Sequence, residues 1–214
     1  MIVFRVSFVI LFSLVTMLAQ NGGRFAVAMA ENAKLLSQYT CKQRTEIIYK
    51  GESRLVRLSQ VRFDPDGGRQ LTSISESGGE QKSGFGSRLV NLKRAEIREY
   101  ATRLSALVER YFPVSPAKLR EALPTMQLGQ SPIGLSLDFK DYVKPGDKLS
   151  LVVDVASRKL VRVELNTSLD KDPFTASTRM ANLPDGPTYP EQTRIDVPSK
   201  QLEIRISEFD FLKL

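Results

Sequence analysis

"KLSLVVDVASRKLVRVELNTSL", residues 148–169, is the stretch on which the fold turns. In its first arm Leu149, Leu151, Val153 and Val155 alternate with Lys148, Ser150, Val152 and Asp154. In its second arm Val161, Val163, Leu165 and Leu169 oppose Arg162, Glu164, Asn166 and Ser168, with Ala156-Ser157-Arg158 between the arms. A period of two sends each set to one face of a β-strand, so this is a pair of strands with one oily side.

The same grammar extends both ways. Upstream, Lys144-Pro145-Gly146-Asp147 places proline and glycine where a type II turn wants them, and Ile133 to Phe139 reads as the strand before it. Downstream, Asp170-Lys171-Asp172-Pro173 turns into Phe174 to Leu183, Pro184-Asp185-Gly186-Pro187 into Tyr189 to Val197, and Pro198-Ser199-Lys200 into Leu202, Ile204 and Ile206. Phe209 and Phe211 fall on the other parity, which predicts a β-bulge.

The N-terminal part begins with Glu31 to Ser37 as a short helix, then pairs Tyr39–Tyr49 with Arg54–Phe63 around Lys50-Gly51-Glu52. Its faces are mixed: Val56 and Leu58 share a parity with Arg54, Gln60 and Arg62, while Leu55, Val61 and Phe63 share theirs with Arg57. Either a bulge switches parity midway, or the hairpin lies at a rim with one end on the core and the other in water. Asp64-Pro65-Asp66-Gly67-Gly68 is a turn signal, a third strand runs from Arg69 to Ile74, and Ser75 to Ser87 reads as a flexible Gly/Ser loop.

Between 89 and 112 the period changes. Leu89, Leu92, Ile97, Tyr100, Leu104, Leu107, Val108 and Tyr111 recur at three- and four-residue steps, an amphipathic helix that Pro113 ends. Ser115-Pro116 opens a shorter helix that Pro124 stops. The expected fold is therefore α+β: a curved antiparallel β-sheet of eight or nine strands, a half-open barrel, packed on one long amphipathic helix in mid-chain. One domain is expected over 31–214, with the helical insert at about 89–123.

The chain of 214 residues opens with a leader. Arg5 is the only charge before Arg24, Val6 to Ala19 are almost wholly apolar, and Ala26-Val27-Ala28 and Ala28-Met29-Ala30 are overlapping A-x-A sites. That three-part pattern is a secretory signal peptide over 1–30, cut after Ala30 or, as second choice, after Ala28. The apolar run is short of the ~20 residues that span a bilayer; a retained anchor or a buried N-terminal helix is the competing reading. Export to the periplasm is the expectation.

Charge and composition then exclude function classes. Of 31 basic residues the leader carries Arg5 and Arg24, leaving 29 against 24 acidic ones, a mild and dispersed excess. No dense basic cluster argues for nucleic acid. The chain has no histidine, which removes histidine-based triads and histidine metal sites. Its one cysteine, Cys41, cannot close an internal disulfide; it is a small, half-buried strand residue or, alternatively, the donor of an intermolecular bridge. Asp138, Asp141 and Asp147 flank the Lys144 turn and read as turn chemistry. Gly78-Gly79-Glu80-Gln81-Lys82-Ser83 lacks the glycine before lysine and the following helix of a phosphate loop. No catalytic residue, metal or cofactor is expected, and the chain is not expected to be an enzyme.

Apolar surface without catalytic furniture remains. Leu104, Leu107 and Val108 set against Leu151, Val153, Val161 and Val163 are the candidate groove between sheet and helix, suited to a lipid, an acyl chain or a lipidated protein. The alternative is a protein-interaction or sensor module in the envelope, docking through the 42–62 hairpin with Arg54, Arg57 and Arg62 at its edge.

A leader, many hairpin-ordered strands and a helical insert together resemble the periplasmic lipoprotein-carrier fold, a half-barrel shared by that carrier, its outer-membrane receptor and an envelope-stress regulator. "YTCKQRTEIIYKGE" at 39–52 and "DYVKPGDKLSLVVD" at 141–154 resemble a group of exported bacterial proteins in which an aromatic residue stands where Cys41 is. The resemblance implies the half-barrel architecture; it lends no functional residue.

Overall fold

The computed structural model describes residues 23, 25–78, 87–184 and 186–214, with only the backbone of 87–94. The expected signal peptide up to residue 22 and at residue 24, most of the expected Gly/Ser loop and the side chains of Leu89 and Leu92 lie outside the described residues.

A helix, α1, covers 25–36. Three strands follow, β1 (Tyr39–Tyr49), β2 (Glu52–Phe63) and β3 (Arg69–Ser77). The helical insert is α2 (Ser87–Val108) and α3 (Pro116–Ala122), and seven strands complete the chain: β4 (Gln127–Ser131), β5 (Gly134–Lys140), β6 (Lys148–Val153), β7 (Leu160–Leu169), β8 (Asp172–Asn182), β9 (Thr188–Val197) and β10 (Leu202–Lys213). All ten form one antiparallel sheet in the order β3-β2-β1-β10-β9-β8-β7-β6-β5-β4. Among the described residues the ends, β3 and β4, do not pair, so the curved sheet stays open.

Turn chemistry sets the register. Lys50 and Gly51 both take positive φ, 55° and 78°, the backbone of a two-residue hairpin turn whose twist matches the strands. Gly146 at φ 86° supplies the left-handed position of the expected turn, closed by Asp147 N–H donating to the Lys144 carbonyl at 3.3 Å. Asp210 takes φ 54° where the β1–β10 register slips between Thr40 and Lys42. That is the bulge the Phe209/Phe211 parity predicts: Glu208 points inward and Phe209 is exposed, while beyond the bulge Phe211 packs against Phe63 and Tyr189.

Two readings of the sheet are corrected. Val161 falls in a register slip, where Val152 pairs with Arg162 and Val153 with Leu160. Leu160, not Val161, therefore takes the inward place. The 42–62 hairpin is not the sheet's edge, because β3 pairs along β2 and covers it. The inward row of β2 is Leu55, Ser59, Val61 and Phe63, with the exposed Arg57 on the same parity. Its mixed composition reflects a concave face that is only partly covered.

The cover is also not one long helix. Among described side chains α2 contributes Ala101, Leu104 and Val108, which pack with Tyr111 on Ile195, Val197, Ile204 and Leu165. A second cluster sets Phe112, Val114 and Leu119 of the insert, and Ala26 of α1, on Leu137, Phe139, Leu149, Leu151 and Val163. A third seats Leu36 of α1 on Cys41, Val61 and Phe63. A sheet this wide exceeds the width of any single helix of ~10 Å, so three helices and the 109–114 link share the work. Each fully buried leucine here contributes about 1.5–3 kcal/mol.

Candidate functional site

α1 lies across one end of the concave face, and beneath it is a cavity of about 370 Å³. Its walls are mostly apolar, with Phe25 and Met29 from α1, Phe63 from β2, Phe112 from the link after α2, and Leu160 and Met180 from the sheet; charged residues such as Glu31, Asp64 and Arg158 also line it. Asn32 holds α1 in place; its side-chain amide donates to the Thr188 carbonyl at 2.8 Å and accepts from the Thr188 N–H at 2.7 Å. An asparagine so used adds to the start of β9 a pair of bonds like those of a neighbouring strand.

Arg69, the first residue of β3, also lines the cavity and leads into a polar cluster on the concave face. Its guanidinium donates to Gln43 Oε1 at 2.6 Å and to Glu208 Oε1, while its buried Nε–H has no acceptor among the described residues. The Glu208 side chain is 2% exposed and that of Arg69 15%. Burial pushes the Glu208 carboxyl up to about 7, against the downward pull of Arg69. Cys41 Sγ lies 4.0 Å from Glu208 Oε2. Burial, with the negative charge of Glu208 added, pushes that thiol up to about 12. A thiol so placed stays protonated and is a poor nucleophile, and at full burial it is out of reach of a second chain.

The residues singled out from the sequence fall elsewhere. Leu104 and Val108, with Leu107 beside them, belong to the first core cluster; Leu151 and Val163, with Val153 beside them, belong to the second. Their side chains fill the core, and the cavity is lined by none of the seven, Val161 included. Arg54 pairs with Glu52, and Arg57 donates to Glu76 at 2.8 and 3.0 Å, a carboxylate that also takes Arg98 of α2 at 2.9 Å. Arg62 is exposed. The three arginines thus lie on an interior strand, two of them engaged within the chain.

The acids around the Lys144 turn have separate structural partners. Asp147, 1% exposed, accepts backbone N–H groups from Tyr142, Val143 and Lys144 at 2.6, 3.0 and 2.9 Å, and the Tyr111 hydroxyl at 2.6 Å. Asp138 takes the hydroxyls of Ser136 and Ser150, and Asp141 the Gly146 N–H. Among the described residues no three cysteine or acidic side chains cluster as metal ligands. A second cavity, of about 670 Å³, opens between α2 and the far end of the sheet. Charged residues line it, among them Arg103 paired with Asp170 at 2.5 Å and Lys200 with Asp172 at 3.3 Å, so it offers little to an apolar ligand.

Sequence reasoning missed Arg69, Glu208 and the α1 wall. The one signal for Glu208 was its parity with Leu202, Ile204 and Ile206 on β10, which placed a carboxylate among inward residues.

No protein-family model matches the chain. No curated protein matches it in sequence. Among solved structures, a DUF1329 family protein from Desulfovibrio piger is similar in fold, with a TM-score of 0.45 at 10% identity over 91% of this chain and 92% of that one. A putative outer membrane lipoprotein-sorting protein domain from Vibrio parahaemolyticus is similar too, with a TM-score of 0.44 at 9% identity over 91% of this chain and 93% of that one.

Proposed function

We propose that the protein is an exported, non-enzymatic binder of an acyl chain, carried by a lipid or a lipidated protein in the cell envelope, and that the cavity beneath α1 is the site. One observation carries the reading: a mostly apolar space of about 370 Å³, walled by Phe63, Phe112, Leu160 and Met180 and, before any cut, by Phe25 and Met29. Its size falls in the ~300–1,000 Å³ range of small-molecule sites. The chemistry around it supports binding over reaction, because the neighbouring thiol is held protonated and the chain has no imidazole to activate a nucleophile.

The test is native mass spectrometry of a detergent-free preparation, followed by titration with a fluorescent fatty acid. Co-purified acyl chains or saturable uptake of one probe per chain is the expected result. A chain that carries no acyl mass and takes up no probe refutes the reading.

A further inference from the structure

The residues that the leader pattern removes are packed into the apolar cluster of the proposed site. Ala26 is 1% exposed, and Phe25 and Met29 pack with it against the cluster formed by Phe112, Val114, Leu119, Leu160 and the inner faces of β5 and β6. The expected cut after Ala30 divides α1 in two. The part that stays has its own anchors, the paired bonds of Asn32 to Thr188 and the burial of Leu36 at 8% exposure on Cys41, Val61 and Phe63. The part that leaves, 25–30, reads Phe-Ala-Val-Ala-Met-Ala, with no charge and no polar side chain.

Resting on the acyl-binding reading above, we infer that residues 25–30 fill part of the acyl site in the uncut chain, beside the 370 Å³ that stays open, and that cleavage after Ala30 frees the whole of it. Removing six helical residues vacates a slot ~9 Å long, continuous with the 370 Å³ cavity that the same side chains line. The uncovered walls are Phe112, Leu160 and Met180. An apolar wall is re-covered best by a group with no polar atoms of its own, since an extended peptide, unlike the helical α1, would bring unpaired backbone N–H and C=O groups that the wall cannot satisfy. A single acyl chain meets that condition, and each methylene buried contributes about 0.8 kcal/mol. The plug is tethered, so it competes at an effective concentration on the order of millimolar and keeps its part of the site filled until the cut.

The test uses the full chain, exported in cells fed a diazirine-bearing fatty acid, irradiated and mapped by peptide mass spectrometry. Ala28→Asp together with Ala30→Asp blocks the cut at both overlapping sites by removing the small residues they require. The processed protein is expected to start at Glu31 and to carry label on the peptides holding Phe112 and Met180. In the uncut chain with Ala28→Asp and Ala30→Asp, label at those two peptides is expected to fall at least about tenfold. Adding Ala26→Asp, which places a charge in an apolar slot, is expected to expel the plug and restore it. Equal labelling of cut and uncut chains overturns the plug while leaving acyl binding intact, as does a processed chain that begins at or before Phe25. No label at these peptides in either form overturns acyl binding itself.

Discussion

Glu208 and Arg69 offer the sharpest test of how the concave face is built. The Glu208 carboxyl is held at about 7 in the fold, above the ordinary 4.5 of an unfolded chain. Between those values the folded protein keeps a proton that the unfolded chain has released. The group's contribution to stability is therefore full below pH 4.5 and declines as pH rises toward 7. At 1.36 kcal/mol per pH unit, a rise of about 2.5 units sets a ceiling of roughly 3 kcal/mol on that loss. Arg69→Met removes the cation that pulls Glu208 down, so its folded value rises further and the loss continues above pH 7. Near pH 5 the carboxyl is neutral with or without Arg69, and the substitution costs only lost hydrogen bonds, about 1–2 kcal/mol. Near pH 8.5 the variant must bury an unpaired charge or retain a proton, and the deficit grows to about 3–5 kcal/mol. Urea unfolding at the two pH values measures it. The background is quiet, since the chain has no histidine and Glu46, Asp154 and Asp172 are shifted downward. A deficit that is equal at both pH values, or larger at pH 5, refutes the account of a desolvated pair. Glu208→Gln should flatten the slope between pH 4.5 and 7.

Further outcomes follow from the same packing. Tyr111→Phe removes the hydroxyl donated to buried Asp147 and should cost about 1.5–3 kcal/mol in chemical denaturation; a loss below about 0.5 kcal/mol would leave Asp147 held by its turn alone. Leu104→Ala, at a site with 0% exposure where α2 meets the sheet, should cost about 2–5 kcal/mol, read as a drop in denaturant midpoint with an unchanged slope. Cys41 should resist maleimide in the native protein at pH 8 and react fully in denaturant, since the thiol is buried and held at about 12; rapid native labelling would contradict its placement. Asn32→Ala should loosen α1, seen as faster amide exchange over 31–36 with little change in β9.

What the sequence made readable was local. Strand alternation has a period of two and turns have their own residue chemistry, so the hairpin order from Tyr39 to Phe63 and from Gly134 onward could be read from neighbours a few residues apart. The parity break at Phe209 and Phe211 likewise announced the bulge at Asp210. β4 escaped because Gln127–Ser131 reads QLGQS, with no apolar side to reveal it; an edge strand can be held by backbone pairing with β5 alone. The parity of 161–169 misled because one slipped register hands the inward place from Val161 to Leu160.

The amino-acid order by itself determined a leader pattern, a hairpin-ordered antiparallel sheet and a chain poor in catalytic groups. Tertiary structure alone decided where that sheet leaves space. Arg69 and Glu208 meet across 139 residues of sequence, and α1 rather than α2 roofs the cavity. Both depend on which elements pack across a curved face. That choice rests on summed shape and burial over the whole surface, a quantity no short window of sequence contains.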